Sequence, residues 1–94
     1  MVFDWDDAKR RANLAKHGVD FALAAEFAWA KATITPDLRK DYGEPREVAI
    51  GPIGERLHVL TFTRRGVTIR IISLRRANPR ERKIHERKTK TQEA

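Results

Sequence analysis

The chain has 94 residues, a formal net charge of +7 and no cysteine. That length holds one domain with a small core, and the missing cysteines exclude disulfides and thiolate metal sites, which fits a reducing cytoplasm. The charge is polarised: residues 1–50 carry 8 Lys/Arg against 9 Asp/Glu and residues 51–94 carry 12 against 4, so the second half points toward a polyanion.

The N-terminus, MVFDWDDAKR, lacks the apolar stretch of a signal peptide. No apolar run nears the ~20 residues that span a bilayer, so a cytoplasmic protein without membrane contact is expected. Asp4 or Asp6 suits the N-cap of a first helix, and Gly18 suits its left-handed end. Trp5, Ala8, Ala12 and Ala15 recur at helical spacing and are its predicted buried stripe. Asp20 suits the cap of a second helix, DFALAAEFAWA, with Phe21, Ala24, Ala25 and Phe27 or Ala28 toward the core. One tight turn between the two predicts an α-hairpin.

Extended segments follow. Ala32–Leu38 reads as a weak edge strand, because Pro36 has no N–H to give a neighbour. RKDYGEPR is a polar connection. Glu47–Ile53 alternates, with Val48, Ile50 and Pro52 on one side. Leu57–Arg64 is rich in β-formers, and Gly54-Glu55 and Arg65-Gly66 mark the turns on either side of it. Val67–Arg75 has two apolar sets, Ile69/Ile71 and Ile72/Leu74, which predict a central strand covered on both faces.

Asn78-Pro79-Arg80-Glu81 opens a final helix with a capping box. Ile84 is its main apolar residue. Residues 1–88 read as a single domain and residues 89–94 as a disordered tail. Two N-terminal helices, a run of four strands and a C-terminal helix imply an α+β fold with a four-stranded antiparallel sheet.

Metal and cofactor chemistry finds little support. His17, His58 and His85 fall in separate elements without metal-ligand spacing, Asp4, Asp6 and Asp7 suit a helix start, and no phosphate-binding or nucleophile-elbow motif occurs. Metal-free RNA cleavage asks for other groups. The ribose 2′-hydroxyl is the nucleophile, so the protein must align the backbone, neutralise the phosphorane and move two protons. Arginine forks serve the first two needs. Arg64, Arg70 and Arg75 lie on the last two strands, His58 on the strand beside, and Arg39, Tyr42, Glu44 and Arg46 in the polar connection. Each has a plainer reading: Tyr42 and Glu44 as a solvated turn, His58 as a half-exposed strand residue, Arg70 as a buried ion pair with Glu47 or Glu55. Trp5 and Trp29 read as core.

Four stretches, FDWDDAKRRANLAKHGVDFALAAEFA, DLRKDYGEPREVAIG, ERLHVLTFTRRG and IRIISLRRANPRER, together resemble the BrnT family, the toxins of bacterial type II toxin–antitoxin pairs. The resemblance covers nearly all of residues 3–86. It implies a RelE-like fold and a metal-independent endoribonuclease that arrests translation and growth. It also implies neutralisation by a BrnA-type ribbon-helix-helix antitoxin, operator DNA met only through that complex, and a homodimer. The family pattern carries Arg39, Tyr42, Glu44, Arg46, Arg64, Arg70, Arg75, Arg76, Arg80 and Arg82 onto this chain without naming the base.

With the residue reading, the candidate catalytic set is Arg64, Arg70, Arg75, Tyr42, Glu44 and His58. The candidate RNA-binding set is Arg39, Arg46, Arg76, Arg80 and Arg82. Two departures from the pattern stand out. Leu74 occupies a place where the family has a small residue, followed by Arg76 in place of Lys. His85 occupies a place where Tyr is common, and either substitutes as an acid/base or weakens activity. The competing readings are a non-catalytic nucleic-acid-binding or co-repressor module and a degenerate toxin that only binds antitoxin.

Overall fold

The computed structural model describes residues 1–93. Its first element is a strand, β1 (Val2–Trp5), where the sequence reads as helix. Phe3 and Trp5 pack on the core and alternate with exposed Val2 and Asp4. An alternation over so few residues is too short to be told from a helix start.

Asp6 then has extended backbone, and its carboxylate accepts from the N–H groups of Ala8 and Lys9 at 2.8 and 3.2 Å, capping α1 (Asp7–His17). Gly18 closes the helix at φ 69°, its N–H donating to Leu14 O. Both ends match the sequence reading, but the face between does not. Ala8, Ala12 and Ala15 are exposed, and Asn13 is buried instead.

The reason lies in β5 (Thr68–Arg76). β1 runs parallel to it and stops at the Trp5–Ile71 pair. Beyond that point Asn13 stands in for a strand. Its Nδ2 donates to Leu74 O at 2.7 Å and to Val19 O at 3.0 Å, and its Oδ1 accepts from Leu74 N at 3.2 Å. Buried backbone groups need partners, and an amide supplies both a donor and an acceptor where an alanine supplies neither.

Asp20 accepts from Ala22 N and caps the next segment, but Phe21–Glu26 is a 3-10 helix rather than an α-helix, and a 3-10 turn at Trp29–Lys31 follows. In a three-residue repeat, side chains three apart fall in line. Phe21, Ala24 and Phe27 are 0%, 1% and 5% exposed, while Ala25 is exposed. The expected α-hairpin is therefore one helix followed by tighter turns.

The sheet has five strands in the order β1-β5-β4-β3-β2, with β2 (Thr33–Pro36), β3 (Glu47–Ile53) and β4 (Arg56–Arg65). β1 pairs in parallel and the rest antiparallel. The α+β class stands, but the expected four-stranded antiparallel sheet is a five-stranded mixed one, because β1 adds beside β5. β2 is an edge strand, in keeping with Pro36. The later strands lie within a residue of expectation, and the last turn falls on Gly66-Val67.

The core occupies one face, where Ala49, Leu60, Phe62, Ile69, Ile71 and Leu74 meet Val19, Phe21, Ala24 and Phe27. Gly51 is required there: a Cβ would come within 2.8 Å of Phe27 Cζ and 3.0 Å of Ala32 Cβ. The set Val48, Ile50 and Pro52 turns to the other face. The register shifts between Thr61 and Phe62, which pair with Ser73 and Ile71. Ile72 is the extra residue, and it changes the phase of the strand. Ile69, Ile71 and Leu74 thus all serve one core, and the expected apolar cover on both faces of β5 gives way to one apolar and one polar face.

On that second face, α2 (Pro79–Glu93) crosses β2 and β3. Glu81 N donates to Asn78 Oδ1 at 2.8 Å and Asn78 N to Glu81 Oε1 at 2.9 Å, the reciprocal capping box. Among its described side chains the buried one is His85, whose Nδ1 lies 3.3 Å from Thr33 Oγ1, while Ile84 stays 39% exposed. The helix runs to Glu93, and Ala94, the last residue of the expected tail 89–94, lies outside the described residues.

Candidate active-site cleft

Cross-strand partners share a face of a sheet, so the register sorts the candidate residues. Val48, Thr61 and Ser73 form one row, and Ile50, Val59 and Arg75 the next. Thr63 and Arg70 follow on the same side, away from the core. His58 pairs with Gly51 and Arg76, and Arg64 with Ile69, on the core side. The sheet thus separates His58 and Arg64 from Arg70 and Arg75.

His58 is 5% exposed, and its Nδ1–H donates to Arg56 O at 2.9 Å, since a carbonyl can only accept. Arg64 donates from Nε to Glu47 at 2.6 Å, and this bond raises its pKa. Arg70 does form an ion pair, but with Asp4 at 3.4 Å rather than with Glu47 or Glu55, because β1 sets Asp4 beside it.

Arg75 points from the polar face to the first turn of α2. Its two terminal nitrogens donate to both oxygens of Glu81, each at 2.8 Å. Facing it, Arg39 donates from Nε and a terminal nitrogen to the two oxygens of Asp37, at 2.9 and 2.8 Å. The Asp37 side chain is 1% exposed and that of Arg39 73%. The anion is buried and its cation reaches outward.

These bonds fix charge states. The hydrogen bond from Arg39 holds the Asp37 carboxyl at about 2, against burial, which pushes it up. The same bond raises Arg39. Arg75 lowers Glu81, chiefly through its hydrogen bond, and is itself raised by Glu81 despite burial and a small opposing effect of the Arg39 charge. Both carboxylates are anions at neutral pH, poor proton acceptors and firm anchors.

The two arginines border one cleft of about 320 Å³, floored by Val48 and Val59 and edged by the hydroxyls of Thr35, Thr61 and Ser73. Such an arrangement is suited to an anion: preset guanidinium donors above a small floor edged by hydroxyls.

The polar connection hangs beside it. Thr63 Oγ1 donates to Pro45 O at 2.7 Å and pins the loop to the sheet. Tyr42 lies between Lys40 Nζ, 5.3 Å from its ring centre, and the Arg46 guanidinium, 3.9 Å away. Glu44 pairs with Arg65 at 3.3 Å. Tyr42, Glu44 and Arg46 line an open hollow of about 720 Å³ that shares Pro36, Asp37 and Leu38 with the cleft. Arg76 and Arg82 border a separate depression of about 160 Å³ beside Glu55 and Arg56, and Arg80 is exposed on α2.

The structure therefore brings together Arg39 and Arg75, sets Tyr42, Glu44 and Arg46 alongside, and leaves His58, Arg64, Arg76 and Arg82 elsewhere. Asp37 and Glu81 escape the sequence reading as partners of the arginines. The D-x-R spacing of Asp37 and Arg39 was the available signal for one. Among the described residues, no group of three or more His, Asp or Glu side chains is gathered to hold a metal ion.

A family model for the ribonuclease toxin BrnT of type II toxin–antitoxin systems matches residues 5–81. The 1.1 Å crystal structure of the Brucella abortus ribonuclease toxin BrnT is similar, with a TM-score of 0.66 at 30% sequence identity over 83% of this chain and 99% of that one. No curated protein matches the chain.

Proposed function

The chain belongs to the BrnT family of ribonuclease toxins of type II toxin–antitoxin systems, and from that premise we propose that it cleaves RNA in the Arg39–Arg75 cleft without a metal ion. One observation carries the reading. Two guanidinium groups, each held by a carboxylate through two bonds, border the same hollow.

A phosphodiester seated there meets donors that do not have to reorganise. Each arginine spends part of its five N–H donors on its carboxylate and keeps the rest for phosphate oxygens. The 2′-oxygen attacks phosphorus as its proton passes to a base. The 5′-oxygen leaves as it gains a proton, and a 2′,3′-cyclic phosphate and a 5′-hydroxyl result. Negative charge peaks on the phosphorane, where fixed cations act most strongly. Asp37 and Glu81, held as anions, position the arginines. Proton transfer falls to groups on the margin, and Tyr42 and Glu44 are the candidates.

A type II system implies an antitoxin partner. A BrnA-type antitoxin, operator DNA reached only through it, a toxin dimer, growth arrest and a cytoplasmic site of action complete the proposal. No described helix is long and apolar enough to cross a membrane. Leu74 is buried in the core and His85 lies against Thr33, so neither departure from the family pattern borders the cleft. That counts against a degenerate toxin.

The test is partner-free protein with a total-RNA pool in EDTA, beside Arg75→Ala. Cleavage that the variant loses while retaining its fold supports the reading. Absence of cleavage, with or without added ribosomes, sinks it in favour of a binding module, which would instead show graded, salt-sensitive losses of affinity.

A further inference from the structure

α1 passes the part of β5 that β1 leaves uncovered. Lys9, Asn13 and Lys16 stand at spacings of four and three, on one helix face. Asn13 is spent on Leu74. The two lysines, with Ala12, His17, Ile72 and Ser73, border a depression of about 310 Å³. Ser73 is also a wall of the Arg39–Arg75 cleft, so the two hollows meet at one residue on the rim of the sheet.

The charge there is uncompensated. Asp7 is taken by Arg10 and Arg11, and Asp20 by Arg10. Among the described residues, neither Lys9 nor Lys16 has an ion-pair partner, and no carboxylate borders the depression. Ser73 joins this depression to the cleft, and the charge of Arg75 reaches His17. Burial lowers the pKa of His17 first, and the charges of Lys16 and Arg75 lower it further. These effects favour the neutral imidazole, and the lysines carry the charge.

Ala12 and Ile72 are the apolar side chains on this wall, and no large aromatic side chain borders it, a poor anchor for a protein partner, whose binding energy is concentrated in large buried side chains. A flexible polyanion needs only spaced cations. Seven residues of helix separate the two lysines by about 10 Å along the axis, far enough for each long side chain to meet a different backbone phosphate.

We propose that this depression is a second phosphate subsite, which takes the RNA backbone flanking the scissile phosphate as it leaves the cleft over the rim of β5. The inference rests on the ribonuclease reading of the cleft. Lys9 and Lys16 are exposed, so they can be neutralised without disturbing the core.

The experiment compares wild type with the Lys9→Gln/Lys16→Gln double variant on a dinucleotide and on an RNA of about ten nucleotides. A second arm measures binding of the longer strand made non-cleavable by 2′-deoxy substitution, across a salt series. The expected result is a KM for the longer RNA raised about tenfold at unchanged kcat, with dinucleotide kinetics unaltered. The salt slope should shrink by about 0.7 for each phosphate that a lysine no longer neutralises. An unchanged KM and slope overturn the subsite, and so does an equal loss on both substrates. If wild type cleaves neither RNA, the ribonuclease reading fails, and the binding arm still decides whether the lysines hold phosphate.

Discussion

Glu81 holds two structures at once. Its carboxylate accepts from Asn78 N to cap α2 and receives both terminal nitrogens of Arg75. Glu81→Gln keeps an acceptor for the cap but offers the guanidinium one oxygen and no charge. The variant should lose about 1.5–3 kcal/mol of stability, on the scale of a hydrogen bond to a charged group. It should also lower kcat more than it raises KM, because a loosened Arg75 still binds phosphate but no longer meets the transition state preset. Urea unfolding and steady-state kinetics on one RNA read the two effects. Equal kcat for variant and wild type would remove Glu81 from the positioning role.

Asp37 gives a pH signature. Its folded pKa of about 2 lies below the ordinary 3.8. A depressed carboxylate stabilises the fold fully above its unfolded pKa, and that contribution is lost as pH falls through the folded value. Wild type should therefore be steady from neutrality to about pH 4 in this respect, and lose the Asp37 contribution between about 4 and 2. Asp37→Asn should lack that step. Urea unfolding at several acid pH values tests this as the difference between the two proteins. A difference that stays constant down to pH 2 would mean the carboxylate is not held by Arg39 in solution.

At the level of elements, what was legible in the sequence was local. Asp6, Gly18, Asp20 and the Asn78–Glu81 box mark helix ends because each bonds within a few residues. The buried face of α1 was not legible, because the group that determines it, Leu74, lies 61 residues from Asn13. The 3-10 helix left a trace, since Phe21, Ala24 and Phe27 recur every third residue, but α and 3-10 spacings overlap in so short a stretch. β1 hid in front of a capping aspartate.

Asn13→Ala should strand the Leu74 N–H and lower stability by roughly 2–3 kcal/mol, the cost of unpaired buried backbone groups. Ala12→Ser, on the exposed side of the same turn, should change it by less than about 0.5 kcal/mol. Thermal or urea unfolding of the pair checks the contrast, and similar losses would show that helix propensity rather than the strand-edge bond sets the effect.

At the scale of the molecule, the sheet divides labour between its faces, and a single extra residue decides where Arg75 goes. Unbroken alternation from Ile69 and Ile71 would carry Ser73 and Arg75 to the core side. The bulge at Ile72 reverses the phase, buries Leu74 and delivers Arg75 to the cleft. The sequence shows the arginines as charge but not which face each one serves. That is why Arg64 and Arg75 look equivalent in the chain and lie on opposite sides of the fold.

The difference is testable. Arg64 is 54% exposed and pairs with Glu47, an ion pair worth no more than about 1 kcal/mol. Arg64→Ala should leave RNA cleavage within about threefold of wild type, with at most that small loss of stability. If Arg75 serves the phosphorane as proposed, Arg75→Ala should lower kcat by about a hundredfold or more. Both variants, assayed on the same RNA with thermal unfolding as the control, decide the matter. Comparable losses of activity in two well-folded variants would move the reactive surface away from the cleft, because no single phosphate could then be served by both faces of the sheet.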